Sequence, residues 1–439
     1  MASFSPIHQS SSASSVVIFS AITFLLFIAS FSNAQPVSSS RPQGVVLAVT
    51  KDASTLQYLI NIKQGTPLVS ESLVVDLAGE YLWVDCDEGY VSSSNRTINC
   101  LGSECLKLQS NSKSCQRKPA QPGHKSFLAC IVFPRSKLFD IGLFREYFNS
   151  DFVSTQSCIN GSSTGPNVTV RKFSFGCAST SLLTGLAKGV KGSAGFGPFG
   201  VSVPSQLSLA LRIPRVFAMC LPSTTSSKGV IFVGGGPYKI QPGIDISTFL
   251  TYTPFYTKTN AFSNSEYYVQ VTSINIGGEK ILLDLNRGEY PSPKLATIDT
   301  LIPYTLIGTS IYNQFTSIFI EKAKAMNITR VASVAPFDVC FDSTNMISTR
   351  VGGLVPTINI VLHRENVVWK IFGSNSMVKV SEEVSCLGFV DGGRNPSNML
   401  VIGGYQLQDN LLEFNLAKKR LGFTSTLGRQ TTCSNFNFQ

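Results

Sequence analysis

Two stretches of the chain close an apolar run on an aspartate: Ser72-Leu-Val-Val-Asp76-Leu-Ala-Gly79 and Ala296-Thr-Ile-Asp299-Thr-Leu-Ile302. Each run reads as a buried strand, so each sets one carboxylate at the end of a core element. Two carboxylates held together share a single proton, and one then acts as base and the other as acid on a bound water. Asp76 and Asp299 are the candidate pair for that chemistry. The plainer reading makes them structural residues, hydrogen-bonded where two halves of the chain meet. Metal chemistry has little to build on: His8, His124 and His363 are scattered and there is no C-x-x-C pair, so no metal and no cofactor is expected.

The elements that would carry the two aspartates follow one plan in two copies. Leu56-Gln-Tyr-Leu-Ile-Asn-Ile62 alternates as a strand, with Leu56, Tyr58, Ile60 and Ile62 on one face, and leads into the Asp76 run. Leu82-Trp83-Val84 follows as a further buried strand. Tyr267 to Ile276 alternates again, turns at Gly277-Gly278, and precedes the Asp299 run. Each half closes on a hydrophobic, glycine-bearing segment, Gly192-Ser-Ala-Gly195-Phe-Gly197 in the first and Leu400-Val-Ile-Gly403-Gly404 in the second, where glycine lets backbones approach. One helix is predicted over Thr309 to Met326, with Ile311, Phe315, Ile318, Phe319 and Lys322 at helical spacing. The junction lies near Phe249-Leu-Thr-Tyr-Thr-Pro254. The Ser-, Lys- and Gln-rich segment from Lys107 to Gly165 is expected to be loops pinned by disulfides.

At 439 residues, 43% apolar and 14% charged, the chain has material for two buried, β-rich domains rather than a disordered polymer. Val16 to Ile28 is a near-continuous apolar run ending in Ser32-Asn33-Ala34, which reads as a cleaved secretory signal over residues 1–34. Residues 35–250 and 251–439 are then the two lobes. The eleven cysteines suit an oxidising compartment, and their odd number leaves one thiol over. Four sequons, at Asn95, Asn160, Asn167 and Asn327, agree with passage through the secretory route and are the candidate glycosylation sites. The formal net charge is +10. A nucleic-acid partner would need a basic stripe, whereas the clusters are short, such as Lys418-Lys419-Arg420, so an acidic protein or wall polysaccharide is the better class.

Longer motifs carry a family resemblance. Val75-Asp76-Leu-Ala-Gly-Glu-Tyr-Leu-Trp83-Val84 and Ile298-Asp299-Thr-Leu-Ile-Pro-Tyr304-Thr305 resemble the two active-site strands of pepsin-like aspartic proteases. Val84-Asp-Cys-Asp87, Phe175-Gly-Cys-Ala178, Phe217-Ala-Met-Cys220, Asn327 to Phe337, Gly373-Ser-Asn-Ser-Met377 and Thr432-Cys433-Ser-Asn-Phe436 resemble the plant extracellular dermal glycoproteins, basic 7S globulin and the xylanase- and xyloglucanase-inhibiting proteins. The resemblance implies an all-β-dominated, bilobal pepsin-like fold with a few short helices, secreted to the plant apoplast. It also implies the pairings Cys340–Cys386, Cys220–Cys433 and Cys86–Cys177, with the free thiol among Cys100, Cys105, Cys115, Cys130 and Cys158.

The resemblance also shows what has changed. A working dyad has Asp-Thr/Ser-Gly in each half. Here the triplets are Asp76-Leu77-Ala78 and Asp299-Thr300-Leu301. Leu77 has no hydroxyl to bond across the halves, Ala78 adds a methyl, and Leu301 is expected to crowd the carboxylates or push the loop aside. The stretch from Phe127 to Phe148, where active relatives carry a Tyr-Gly flap, has only Tyr147, with no glycine beside it. The expected function is a non-proteolytic inhibitor of microbial glycoside hydrolases, a glucanase or a xylanase, acting as a monomer. Alternatives are a residual aspartic endopeptidase using Asp76 and Asp299, and a storage or peptide-binding globulin. A target cleft of this kind holds two carboxylates, about 5–5.5 Å apart in retaining enzymes. Arginine suits such a pair because its planar fork pairs bidentately. Arg394 and Asn395, in Asp391-Gly-Gly-Arg-Asn-Pro-Ser-Asn398, are the first contact candidates, and Arg287 is the second.

Overall fold

The computed structural model describes residues 1, 3, 41–109, 113–120, 125–135, 138, 144–257, 266–283, 295–394, 399–427 and 430–438. Pro42–Gln439 is one compact unit and Met1–Arg41, which holds the expected leader, is another. We refer to the halves by the boundary proposed from the sequence, after residue 250.

Strands dominate. Six antiparallel strands, three from each half, make a sheet that runs across the molecule in the order Val45–Lys51, Lys228–Val233, Val216–Cys220, Leu411–Asn415, Arg420–Phe423 and Thr251–Tyr256. Its midline is the pairing of Val216–Cys220 with Leu411–Asn415, where Phe217 faces Phe414 and the rings stack at 4.7 Å. All ten residues of these two strands are buried, which is why both read as apolar runs rather than alternating strands. Tyr58–Gln64, by contrast, alternates: Tyr58, Ile60, Ile62 and Gln64 point inward. Leu56 lies outside that strand, in a turn with φ 60°.

In the second half, Glu279–Leu282, Ser273–Ile276, Ile358–Val361 and Val368–Ile371 form a separate four-stranded sheet. Helix Thr309–Ala325 buries Ile311, Tyr312, Phe315, Ile318, Phe319 and Ala323. Lys322, expected on that same face, sits at its margin and pairs with Glu279 at 3.0 Å. The helix ends with Asn327 at φ 59°, and the Ile328 N–H returns to the Ala323 carbonyl.

The described residues of the segment expected to be loops are largely strand. Lys113–Lys118, Phe127–Val132 and Glu146–Ile159 are paired in succession, and Glu146–Ile159 forms a long hairpin with Ser163–Ala178. Disulfides join Cys100 to Cys115 and Cys105 to Cys130 in this region, and Cys86–Cys177, Cys220–Cys433 and Cys340–Cys386 elsewhere. Cys158 is unpaired and buried, and its burial pushes the thiol pKa up. Among the described residues no helix is long and apolar enough to cross a membrane.

Candidate functional site

Asp76 ends the strand Val69–Asp76, whose last four residues are all buried. That strand runs parallel to Gly192–Gly195, with Asp76 beside Gly195. The Asp76 carbonyl accepts the Phe196 N–H at 2.7 Å. The close approach depends on two glycines: a Cβ on Gly79 would lie 2.7 Å from the Cα of Gly195. Asp299 is placed in the same way. It follows strand Leu295–Ile298, which runs parallel to Leu400–Ile402, and its N–H donates to the Ile402 carbonyl at 2.9 Å. Both aspartates are buried, at 7% and 3% exposure.

Each carboxylate takes a hydrogen bond from the residue two positions on. The Ala78 N–H donates to Asp76 Oδ1 at 2.8 Å, and the Leu301 N–H donates to Asp299 Oδ1 at 2.7 Å, with the Ile302 N–H at 3.3 Å. Thr300 links the loops: its hydroxyl donates to the Val75 carbonyl at 2.6 Å and accepts the Leu77 N–H at 3.4 Å. Leu77 returns nothing from its side chain, which lies in the main hydrophobic core.

Leu301 has a contact that its position in the triplet did not announce. Its side chain, 5% exposed, packs with Val74, Ala187 and Val190 of the other half. Leu59, Leu138 and Leu186 close the edge of this cluster. Each carboxylate therefore has a backbone donor, one hydroxyl grip joins the halves, and a leucine-bearing cluster is built from residues two positions from each aspartate.

The flap stretch falls partly outside the described residues. Tyr147 belongs to strand Glu146–Ile159, and the Lys118 ammonium lies 4.6 Å from its ring centre. Arg394 is exposed, just beyond strand Phe389–Asp391. Asn395 and Arg287 lie outside the described residues. Of the sequon asparagines, Asn160, Asn167 and Asn327 are exposed and Asn95 is half-buried. His363 bonds through Nδ1 to the Thr253 hydroxyl at 2.9 Å. Among the described residues no cluster of His, Cys, Asp and Glu is arranged to hold a metal ion. Sequence reasoning missed Asp391, which anchors the turn before Arg394; an aspartate followed by Gly-Gly is the signal that marks such a turn.

Comparison with known proteins adds the lineage. Residues 58–235 match the family model described as xylanase inhibitor N-terminal, and residues 266–425 the one described as xylanase inhibitor C-terminal. The chain is 48% identical over 431 residues to a Nicotiana benthamiana protein named probable aspartic proteinase GIP2, covering 94% of this chain and 96% of that one. It is 36% identical to gamma conglutin 1 of Prunus dulcis, covering 96% of each chain. Among solved structures, edgp superposes with a TM-score of 0.84 at 46% identity, covering 91% of this chain and 99% of that one. Basic 7S globulin from soybean gives 0.77 at 30% identity, covering 90% and 98%.

Proposed function

The chain belongs to the pepsin-fold family that takes its name from xylanase inhibitors, and from that premise we propose that it is a secreted, non-proteolytic inhibitor of a microbial glycoside hydrolase. The target class is an endo-β-1,4-glucanase of the xyloglucan-cleaving type or, failing that, a xylanase. The observation that carries this reading is Arg394, an exposed residue just beyond strand Phe389–Asp391, following a turn whose base is hydrogen-bonded to the fold. A planar cation there matches the paired carboxylates of a hydrolase cleft. The net charge of +10 supports it in another way, by steering the chain toward an acidic target, so inhibition weakens as salt rises.

The test is an inhibition titration against fungal and oomycete glucanases and xylanases. Replacing Arg394 by Ala leaves the target's carboxylates buried and unpaired, and the expected loss is about 2–5 kcal/mol. Replacing it by Lys restores only part, because an ammonium cannot make the forked contact. Unchanged potency for Arg394→Ala sinks the loop assignment. Absence of inhibition across the panel favours a storage or peptide-binding role.

A residual acid endopeptidase is the second reading. The surviving N–H donors to Asp76 and Asp299 favour it. Against it stand the missing hydroxyl at Leu77 and the leucine cluster beside the pair.

A further inference from the structure

We propose that Asp391 is a positioning residue for Arg394: its carboxylate locks the base of the loop so that the guanidinium is presented to the target in one orientation. The inference rests on the inhibitor reading and adds the residue that makes that contact affordable.

Both stems of the loop are tied to one short segment, Ile307 to Thr309. On the incoming side, Asp391 pairs with Ile307 at the end of two parallel strands. The Gly392 N–H donates to the Ile307 carbonyl at 2.7 Å, and the Thr309 N–H donates to the Gly393 carbonyl at 3.0 Å. On the outgoing side, the Gly308 N–H donates to the Met399 carbonyl at 2.9 Å. The segment that receives these bonds opens helix Thr309–Ala325, whose first buried residues, Ile311 and Tyr312, fix it to the core.

Asp391 closes the base with one oxygen. Its Oδ1 accepts the Thr309 hydroxyl at 2.7 Å and the Gly393 N–H at 2.9 Å. The second bond is a side-chain-to-backbone turn of the kind aspartate favours. It holds Gly393 at φ 91°, a left-handed value natural to glycine, and so sets the direction in which the chain leaves for Arg394. Without it, the turn must be ordered when the target binds, which costs conformational entropy. A base fixed beforehand removes that cost from association.

The proposal separates geometry from charge. Asparagine at 391 keeps the accepting oxygen and loses only the charge, whereas alanine loses both bonds. Two measurements on the full chain test it. The first needs no target: timed trypsin digestion, with the reduced peptide ending at Arg394 quantified by mass spectrometry. We expect Asp391→Ala to release that peptide about tenfold faster than wild type, Asp391→Asn within about threefold of it, and Thr309→Val in between. The second is inhibitory potency, expected to fall about tenfold for Asp391→Ala and to be largely restored by Asp391→Asn. Unchanged peptide release in Asp391→Ala overturns the proposal, and so does an Asn variant as poor as the Ala variant. If the digestion contrast holds but no chain inhibits any hydrolase, the inhibitor reading fails and the clamp stands.

Discussion

In the Asp76 loop the residue after the aspartate is Leu77, buried in the main hydrophobic core; in the Asp299 loop it is Thr300, whose hydroxyl reaches the Val75 carbonyl across the interface. One position later the contrast reverses. Ala78 offers a single methyl, while Leu301 crosses into the other half and packs on Val74, Ala187 and Val190. Yet both loops hold their carboxylate with the same i+2 N–H, at 2.8 and 2.7 Å. A dyad loop thus has separable parts. The backbone N–H donors are present with a side chain at the third position of each loop. The grip between halves needs either a hydroxyl or an apolar anchor, and here the Asp299 loop supplies both.

That asymmetry sets an order of expected effects. The third positions should differ most. Leu301→Gly empties a buried cross-half contact and is expected to cost about 3–5 kcal/mol. Ala78→Gly, the matching change in the other loop, should stay within about 1 kcal/mol. Urea midpoints of the two variants check this, and equal losses would mean that the anchor is not where we place it.

Shape-preserving swaps at the second positions come next. Thr300→Val keeps the volume but strands a buried carbonyl and an N–H, at about 1–3 kcal/mol. Leu77→Met changes only the packing and should cost less than about 1.5 kcal/mol. A Leu77→Met variant more damaged than Thr300→Val would reverse the assignment of grip to one loop and filling to the other.

The smallest expected effect is none at all. If a single hydroxyl grip does not make a working dyad, the purified chain leaves casein intact at about pH 3–5, where a shared-proton pair works. Pepstatin-sensitive cleavage that disappears in Asp299→Asn would instead establish the endopeptidase reading.

Much of this was legible in the residues. The repeated apolar-run-then-aspartate pattern marked both carboxylates because a buried strand leaves a strong signature at either end of the chain. Helix Thr309–Ala325 was plain from its 3.6-residue spacing. The region between Lys107 and Gly165 was not, for a reason visible in strand Glu146–Ile159. Asn149, Ser154, Thr155 and Ser157 are all buried there, so the inward face carries polar residues and the alternation vanishes. The direction of Leu301 was equally hidden, since a triplet names a residue type and says nothing about where its side chain finds volume. Asp391 escaped because its partner, Thr309, is 82 positions away in sequence.

The Cys220–Cys433 bond spans 213 positions and makes a covalent ring of nearly half the chain. A ring opened once is still one molecule. Any single cut between these cysteines, including one after Arg394, leaves both pieces attached, and the strand pairing of Val216–Cys220 with Leu411–Asn415 gives them a seam to stay closed along. The consequence is nick tolerance: damage at the surface registers on a reducing gel before it registers as separation of the halves.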